Sequence, residues 1–329
     1  MTQPASGLPS ATLPAEARAA LAARADTATG RFAGASSIAA LLFLLDRARD
    51  GDGDAARLAF SMLRRTPANA TASACAAAAE AAVHVVAVDV KRDDGLEKTA
   101  RAAVDAALAA FGWNAESDEV DDRERSAIHS RVAPPGSMGG DQGTDAHGLM
   151  IATLARASLT LEAPGYREAA ARGGERALDH RVDARWGTLL HLGGEAKRAA
   201  GLDDYALLVR GLLELLPATG EKGWLREAVR LQGEQEERLW DVREGGYFES
   251  PEGAGRAARK YGSDGSFLSG NGIAALNLIE LSRLTGERSY RDRAEDVLRT
   301  FSAETAKEPL AHLTLLRASE RFERSSSSA

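Results

Sequence analysis

One unit recurs along this 329-residue chain and constrains its fold more than any other feature. It is a pair of helices joined by a tight turn, the first apolar on nearly every face and the second along one stripe. The segment from Asn271 to Phe301 shows it most plainly. Ile273, Ala274, Ala275, Leu276, Leu278, Ile279, Leu281 and Leu284 leave no face to solvent, which predicts a helix surrounded by other helices. Gly286 stands where a helix C-terminus takes a left-handed residue. Beyond it, Tyr290, Ala294, Val297, Leu298 and Phe301 fall on one stripe of a charged helix. Such a pair reads as an inner helix with an outer one behind it.

The same pair is predicted over Ser37–Arg65, Ser73–Phe111, Ala146–Leu178 and Asp203–Trp240. The outer helices open alike, with GYREAA around Tyr166, GWLREA around Trp224 and SYRDRA around Tyr290. Self-similarity at this spacing marks a helical repeat. Two single helices remain, Pro14–Ala25 of the outer kind and Lys307–Phe322 of the inner kind. Together they supply a sixth pair from the two ends of the chain. The expected fold class is therefore all-α, an α/α toroid of six hairpins over residues 14–323. Residues 1–13 and 324–329 are expected to be a disordered lead and tail. The alternative is an open solenoid, which would carry polar caps at both ends. Trp240 to Glu249, WDVREGGYFE, predicts a small β-hairpin turning at Glu244-Gly245-Gly246. The connections Gly112–Gly143 and Asp179–Leu202 are long, as functional or disordered loops are.

Charge narrows the partners. With 41 basic against 48 acidic residues the net charge is -7, which disfavours nucleic acid and anionic membrane. The alanine-rich stretch Ser73–Val90 is interrupted by Glu80 and His84 and is too weak for a membrane span. The N-terminal residues show no secretory pattern, so a cytoplasmic location is expected. Cys75 is the single cysteine, which excludes an internal disulfide. No HExxH, no ligand-spaced pair of histidines and no nucleotide fingerprint occurs, so neither metal nor cofactor is expected.

Closure of the ring has a chemical consequence. All inner helices of a toroid run parallel, so their N-termini gather at one rim with unpaired N–H groups and positive dipole ends. Residues just before or within those first turns become neighbours in space. Asp203, Asp204 and Tyr205 open one inner helix, Asp145 and His147 another. A glycine-rich turn running from Lys260 supplies Asp264, Ser266, Ser269 and Asn271 to a third. Ser, Thr, Asp and Asn also occur there simply as caps. Two adjacent acids exceed what one cap requires, and the Asp264–Asn271 turn offers an acid, two hydroxyls and an amide among four glycines. His191 follows two leucines in a long connection and joins the candidates. Asp264, Asp203, Asp204 and His147 are the candidate acid/base residues. Asn271, Ser269, Tyr205, Ser266, Asp145, His191 and Lys260 are the candidate substrate contacts.

The run DGSFLSGNGIAALNLIELSRLTGERSYRDRAEDVL resembles the DGAxPSGNSxAAxNLLRLxxLTG segment of the YyaL-type, spermatogenesis-associated thioredoxin-like family. GTDAHGLMIATLARA, GLDDYALLVRGLLELLPATGEKGWL and GGYFES resemble further family segments in the same order. The resemblance covers roughly Gly143 to Phe301 and implies an α/α barrel similar to N-acylglucosamine 2-epimerases. Asp203, Asp204, Tyr205, Asp264, Gly265, Ser269, Gly270 and Asn271 match it position by position. The sequence departs from it in having no thioredoxin-like domain, no WCxxM-type motif and no aromatic barrel segment. His147 stands where the family has Asn, and Leu268 where it has Pro.

The first functional expectation is an enzyme, or catalytic subunit, acting on a small polar or anionic metabolite at the toroid mouth by general acid/base chemistry, isomerase- or lyase-like. The alternatives are a subunit of a two-protein tailoring enzyme, for example for ring closure, and a non-catalytic partner-binding scaffold. A second polypeptide or a homodimer is the expected protein partner.

Overall fold

The structure, a computed structural model, describes residues 12–26, 31–32, 37–55, 58–59, 94–111, 113, 143–183, 185–192, 198–251, 259–265 and 268–326. Ser266, Cys75, His84, the helix expected over 73–90 and most of the 112–143 connection lie outside them. Within them run α1 (Leu13–Arg24), α2 (Ser37–Arg49), α3 (Asp94–Phe111), α4 (Thr144–Thr160), α5 (Pro164–His180), α6 (Leu202–Thr219), α7 (Gly223–Leu239), α8 (Gly270–Thr285), α9 (Arg288–Thr300), the short α10 (Ser302–Lys307) and α11 (Leu313–Ser326).

Hydrophobic patterning places the layers. α4, α6 and α8 are buried along nearly their whole first three turns, whereas α9 buries only Ala294, Val297 and Leu298. The turns behave as their residues require. Gly220 and Gly286 close α6 and α8 at φ 77° and 75°, which a Cβ would oppose. α4 and α6 approach so closely that a Cβ at Gly148 would run into the backbone of Leu207 and Leu208. Asn277 of α8 donates to the Ala206 carbonyl of α6 at 2.7 Å, joining the next pair of inner helices inside the core.

The ends of the chain meet. Arg317 of α11 donates to Asp46 of α2 at 2.9 Å, with the two side chains only 5% and 4% exposed. Arg47 and Glu320 pair beside them at 2.8 Å. The last inner helix is therefore bonded to the first, and the fold is an α/α toroid, not an open solenoid.

Two boundaries differ from the sequence reading. The last inner helix begins at Leu313, not Lys307. Pro309 has no N–H to continue a helix, and the chain makes α10 and a 3-10 turn at Pro309–Ala311 first. The expected β-hairpin at 240–249 is a single antiparallel bridge, Trp240 to Tyr247, with Gly245 and Gly246 both left-handed. Two short antiparallel pairs stand where the sequence announced none: β1 (Ala25–Asp26) with β2 (Arg31–Phe32), and β3 (Leu190–Leu192) with β4 (Arg198–Ala199). Strands this short carry no period to read. β3 nevertheless builds the site.

Candidate active site

The first turn of α6 is the hub of the rim. Gly201 donates its N–H to Asp204 Oδ2 at 2.8 Å, and Asp145 at the start of α4 donates its N–H to Asp204 Oδ1 at 3.0 Å. His191 of β3 places Nδ1 2.8 Å from that same oxygen. One buried carboxylate thus ties together three segments that are distant in sequence. β3 is fixed in turn by Thr144, whose hydroxyl donates to the Leu190 carbonyl at 2.6 Å, and by Arg181, which donates to the His191 carbonyl at 3.1 Å.

A carboxylate partner makes His191 Nδ1 the donor and leaves Nε2 for other chemistry. The hydrogen bond to Asp204 holds the His191 pKa above its usual value, against the opposing effect of burial. Asp145 has an oxygen 4.0 Å from His191 Nδ1 and is itself raised by burial and by Asp204. Asp203 points the other way, over the start of α8, where a Cβ at Gly270 would collide with its Oδ1. It is exposed to solvent, yet protein surrounds it on its remaining sides. Desolvation, then Asp145, Asp204 and Glu249, push its pKa up to about 7. Desolvation first, and then the charge of Asp145, Asp204 and Glu249, let Asp203 keep its proton to near neutrality. Three glycines make the crowding feasible. Side chains at Gly143, Gly201 and Gly270 would strike His191, the Glu249 carbonyl and Asp203 respectively.

The other candidates are placed differently. Asp264 is buried, and both its oxygens are taken, by the N–H of Ser269 at 2.9 Å and of Thr314 at 2.9 Å. It fastens the starts of α8 and α11 together. Ser269 caps α8 by accepting from Gly272 N–H. Asn271 accepts from Tyr247 N–H at 2.8 Å and donates to the carbonyls of Tyr247 and Tyr261, both at 3.0 Å. Tyr205 is buried and donates to Glu234 at 2.6 Å. Lys260 Nζ bonds Asp241 at 2.6 Å and the Gly245 carbonyl at 3.0 Å, pinning the 241–246 turn. His147 stands edge-on to Phe111 and Trp113, with ring centroids 5.8 and 5.6 Å away. Burial, with Arg181 and Arg176 nearby, lowers its pKa to about 3, so it is neutral. Two residues along a helix turn a side chain by about 200°, which sends His147 away from the face of Asp145.

Asp203, Asp204, Asp145 and His191 are therefore brought together, and Glu249 joins them unannounced by the sequence. The glycines before each inner helix, in GTD, GLDD and SGN, were the available signal. Asp145, His191 and Asp204 each offer a donor atom within 4.8 Å of the others, the kind of set that takes a divalent cation. Asp204 Oδ1 is already spent on Asp145 N–H and His191, so the trio is arranged as an oriented histidine. A groove of about 450 Å³ lies at the same end but outside the ring, between the 240–245 turn and α9. Its carboxylate Asp241 is held below the usual range by the hydrogen bond from Lys260.

The α/α toroid is shared with solved structures of carbohydrate isomerases and hydrolases. A D-mannose isomerase superposes with a TM-score of 0.67 at 12% identity, over 91% of this chain and 87% of that one. An inactive variant of the α-1,6-mannanase of Salegentibacter sp. HEL1_6, with two consecutive aspartates replaced and mannotetrose bound, superposes with a TM-score of 0.66 at 14% identity, over 94% and 98%. In sequence, the chain is similar to spermatogenesis-associated protein 20. It is 34% identical to the human protein over 185 residues, which are 52% of this chain and 24% of that one. The match thus spans about a quarter of the relative's length. No family model matches. Among the described residues, no helix is long and apolar enough to cross a membrane.

Proposed function

We propose that the chain is an enzyme that acts on a sugar or similar polyol at the N-terminal mouth of the toroid by general acid/base catalysis, of isomerase or lyase type. The observation that carries this is the Asp204–His191 hydrogen bond beside Asp203. A carboxyl titrating near 7 is available as a base at neutral pH and returns the proton readily. His191, held by Asp204 and biased towards its charged form, presents an Nε2–H to a substrate oxygen. Ionised Asp203 takes the proton from the carbon beside a substrate carbonyl, and the imidazolium stabilises the oxygen on which charge develops. The imidazolium passes its Nε2 proton to that oxygen, the imidazole left behind takes the proton of the adjacent hydroxyl, and Asp203 returns its proton to the former carbonyl carbon, which completes an isomerisation. The carboxylates of the mouth favour a neutral polyhydroxyl ligand over an anionic one at this position. The D-mannose isomerase and the α-1,6-mannanase that superpose on the chain are carbohydrate enzymes by name.

The test is proton exchange. Aldoses and ketoses are incubated with the protein in deuterated water and followed by proton NMR. Deuterium should enter the carbon beside the carbonyl, and Asp203→Asn and His191→Gln should each abolish this. A folded wild-type protein that neither exchanges nor converts any member of the panel would overturn the proposal.

A further inference from the structure

Deeper in the ring the inner helices carry a second charged cluster, of the opposite sign. Glu214 of α6 is bound both by Arg210, one turn earlier, and by Arg156 of α4. Asp46 of α2 is bound by Arg317 and lies 3.5 Å from Arg321 of α11. The two groups are one cluster, because Arg156 and Arg321 both act electrostatically on Arg210. Glu214 and Asp46 each stand between two guanidinium groups. Glu280 of α8 is the further acid within range, and Arg283 holds it.

Ordinary helix electrostatics do not explain this arrangement. Cations are favoured in the last turn of a helix, but Arg210 is the ninth of the eighteen residues of α6. Arg317 is only the fifth residue of α11, near its positive end. Arg210 Nη2 is spent on Glu214, whereas Nη1 is buried and has no hydrogen-bond partner among the described residues. A buried guanidinium N–H without an acceptor keeps its whole desolvation cost. The side chains of Arg156, Arg210 and Arg321 are 13%, 14% and 25% exposed, enclosed but not sealed. The planar fork of a guanidinium matches the paired oxygens of a phosphate or carboxylate.

We propose that the interior of the toroid binds a small oxyanion, a phosphate or carboxylate group, on Arg210 with Arg156 and Arg321. This site is separate from the acidic mouth. Arg210 follows Asp203 by seven residues, about 10 Å along the helix.

Inorganic phosphate is the probe. At 10 mM it should raise the melting temperature of the wild-type protein by roughly 2 °C or more over sodium chloride of equal ionic strength. Calorimetry should show Arg210→Met losing phosphate binding and Asp203→Asn keeping it. Arg321→Gln, which leaves the Arg317–Asp46 pair in place, should weaken binding by at least about fivefold and serves if Arg210→Met does not fold. Glucose 6-phosphate separates the two sources of the anion. Tighter binding of the ester than of phosphate, weakened by Asp203→Asn, assigns the site to an anionic group of a substrate. Equal binding assigns it to a free anion, and either supports the site. No phosphate-specific stabilisation of the wild type, unchanged binding in both arginine variants, or loss of phosphate binding in Asp203→Asn would overturn it.

Discussion

The first turns of α6 and α8 use the same residue types and lie side by side on one rim, yet they serve different ends. At the start of α8 the polar side chains are used by the scaffold: Asp264 holds two backbone N–H groups, Ser269 one, and Asn271 closes three bonds to Tyr247 and Tyr261. At α6, Asp204 is spent in the same way, and its neighbour Asp203 is left over the mouth with a raised pKa. A polar side chain at a helix start belongs to the scaffold when its lone pairs are used up locally. It becomes a candidate for chemistry when capping and pairing leave it over.

Substitutions that exchange these roles break the comparison most sharply. Asp203→Asn should lower turnover by about 10²–10⁴-fold, the usual contribution of a positioned acid or base, with the far-UV spectrum unchanged. Asp264→Ala should do the reverse. It strands two buried N–H groups, which costs about 2–5 kcal/mol in a urea melt, while the protein that remains folded keeps its turnover. Asn271→Ala removes the tie between α8 and the segments at Tyr247 and Tyr261, with a cost of about 1–3 kcal/mol.

The pH dependence of stability sharpens the contrast further. Asp203 is raised from 3.8 to about 7 on folding, so the stability it contributes is complete below pH 3.8 and is lost as pH rises through 7. His191 and Asp145 are also raised and act in the same direction. Buried neutral His147, lowered to about 3, acts in the opposite direction up to pH 6.5, so the readout is the difference between proteins: Asp203→Asn should lose less stability than the wild type between pH 4 and 7. An Asp203→Asn profile parallel to that of the wild type would contradict the assignment. The smallest effect belongs to the cap: Ser269→Ala should cost about 0.5–2 kcal/mol and leave turnover alone.

The toroid was legible because its signal is periodic and repeated. The all-round apolar run Ile273–Leu284 and the single stripe from Tyr290 to Phe301 each state which layer they occupy. Asp203 and Asp204 were legible as a pair at a helix start, but not which of them would remain poised. That depends on His191, which reaches Asp204 through a three-residue strand with no periodicity. His147 looked equivalent to Asp145 because both open α4, and only the turn of the helix separates their faces. The interior arginines were invisible for another reason. Arg156, Arg210 and Arg317 are single charges on otherwise apolar helices, and a sequence does not show that they point at one another.

The central claim is that Asp203 is the group poised at the mouth, and the most direct test is its own titration. Carboxyl carbon-13 NMR of the aspartate-labelled protein, with Asp203→Asn used to assign the resonance, reports it. The predicted midpoint is about 7, displaced when Asp145 is replaced by Asn. A midpoint close to the ordinary 3.8 of an aspartate would contradict the account.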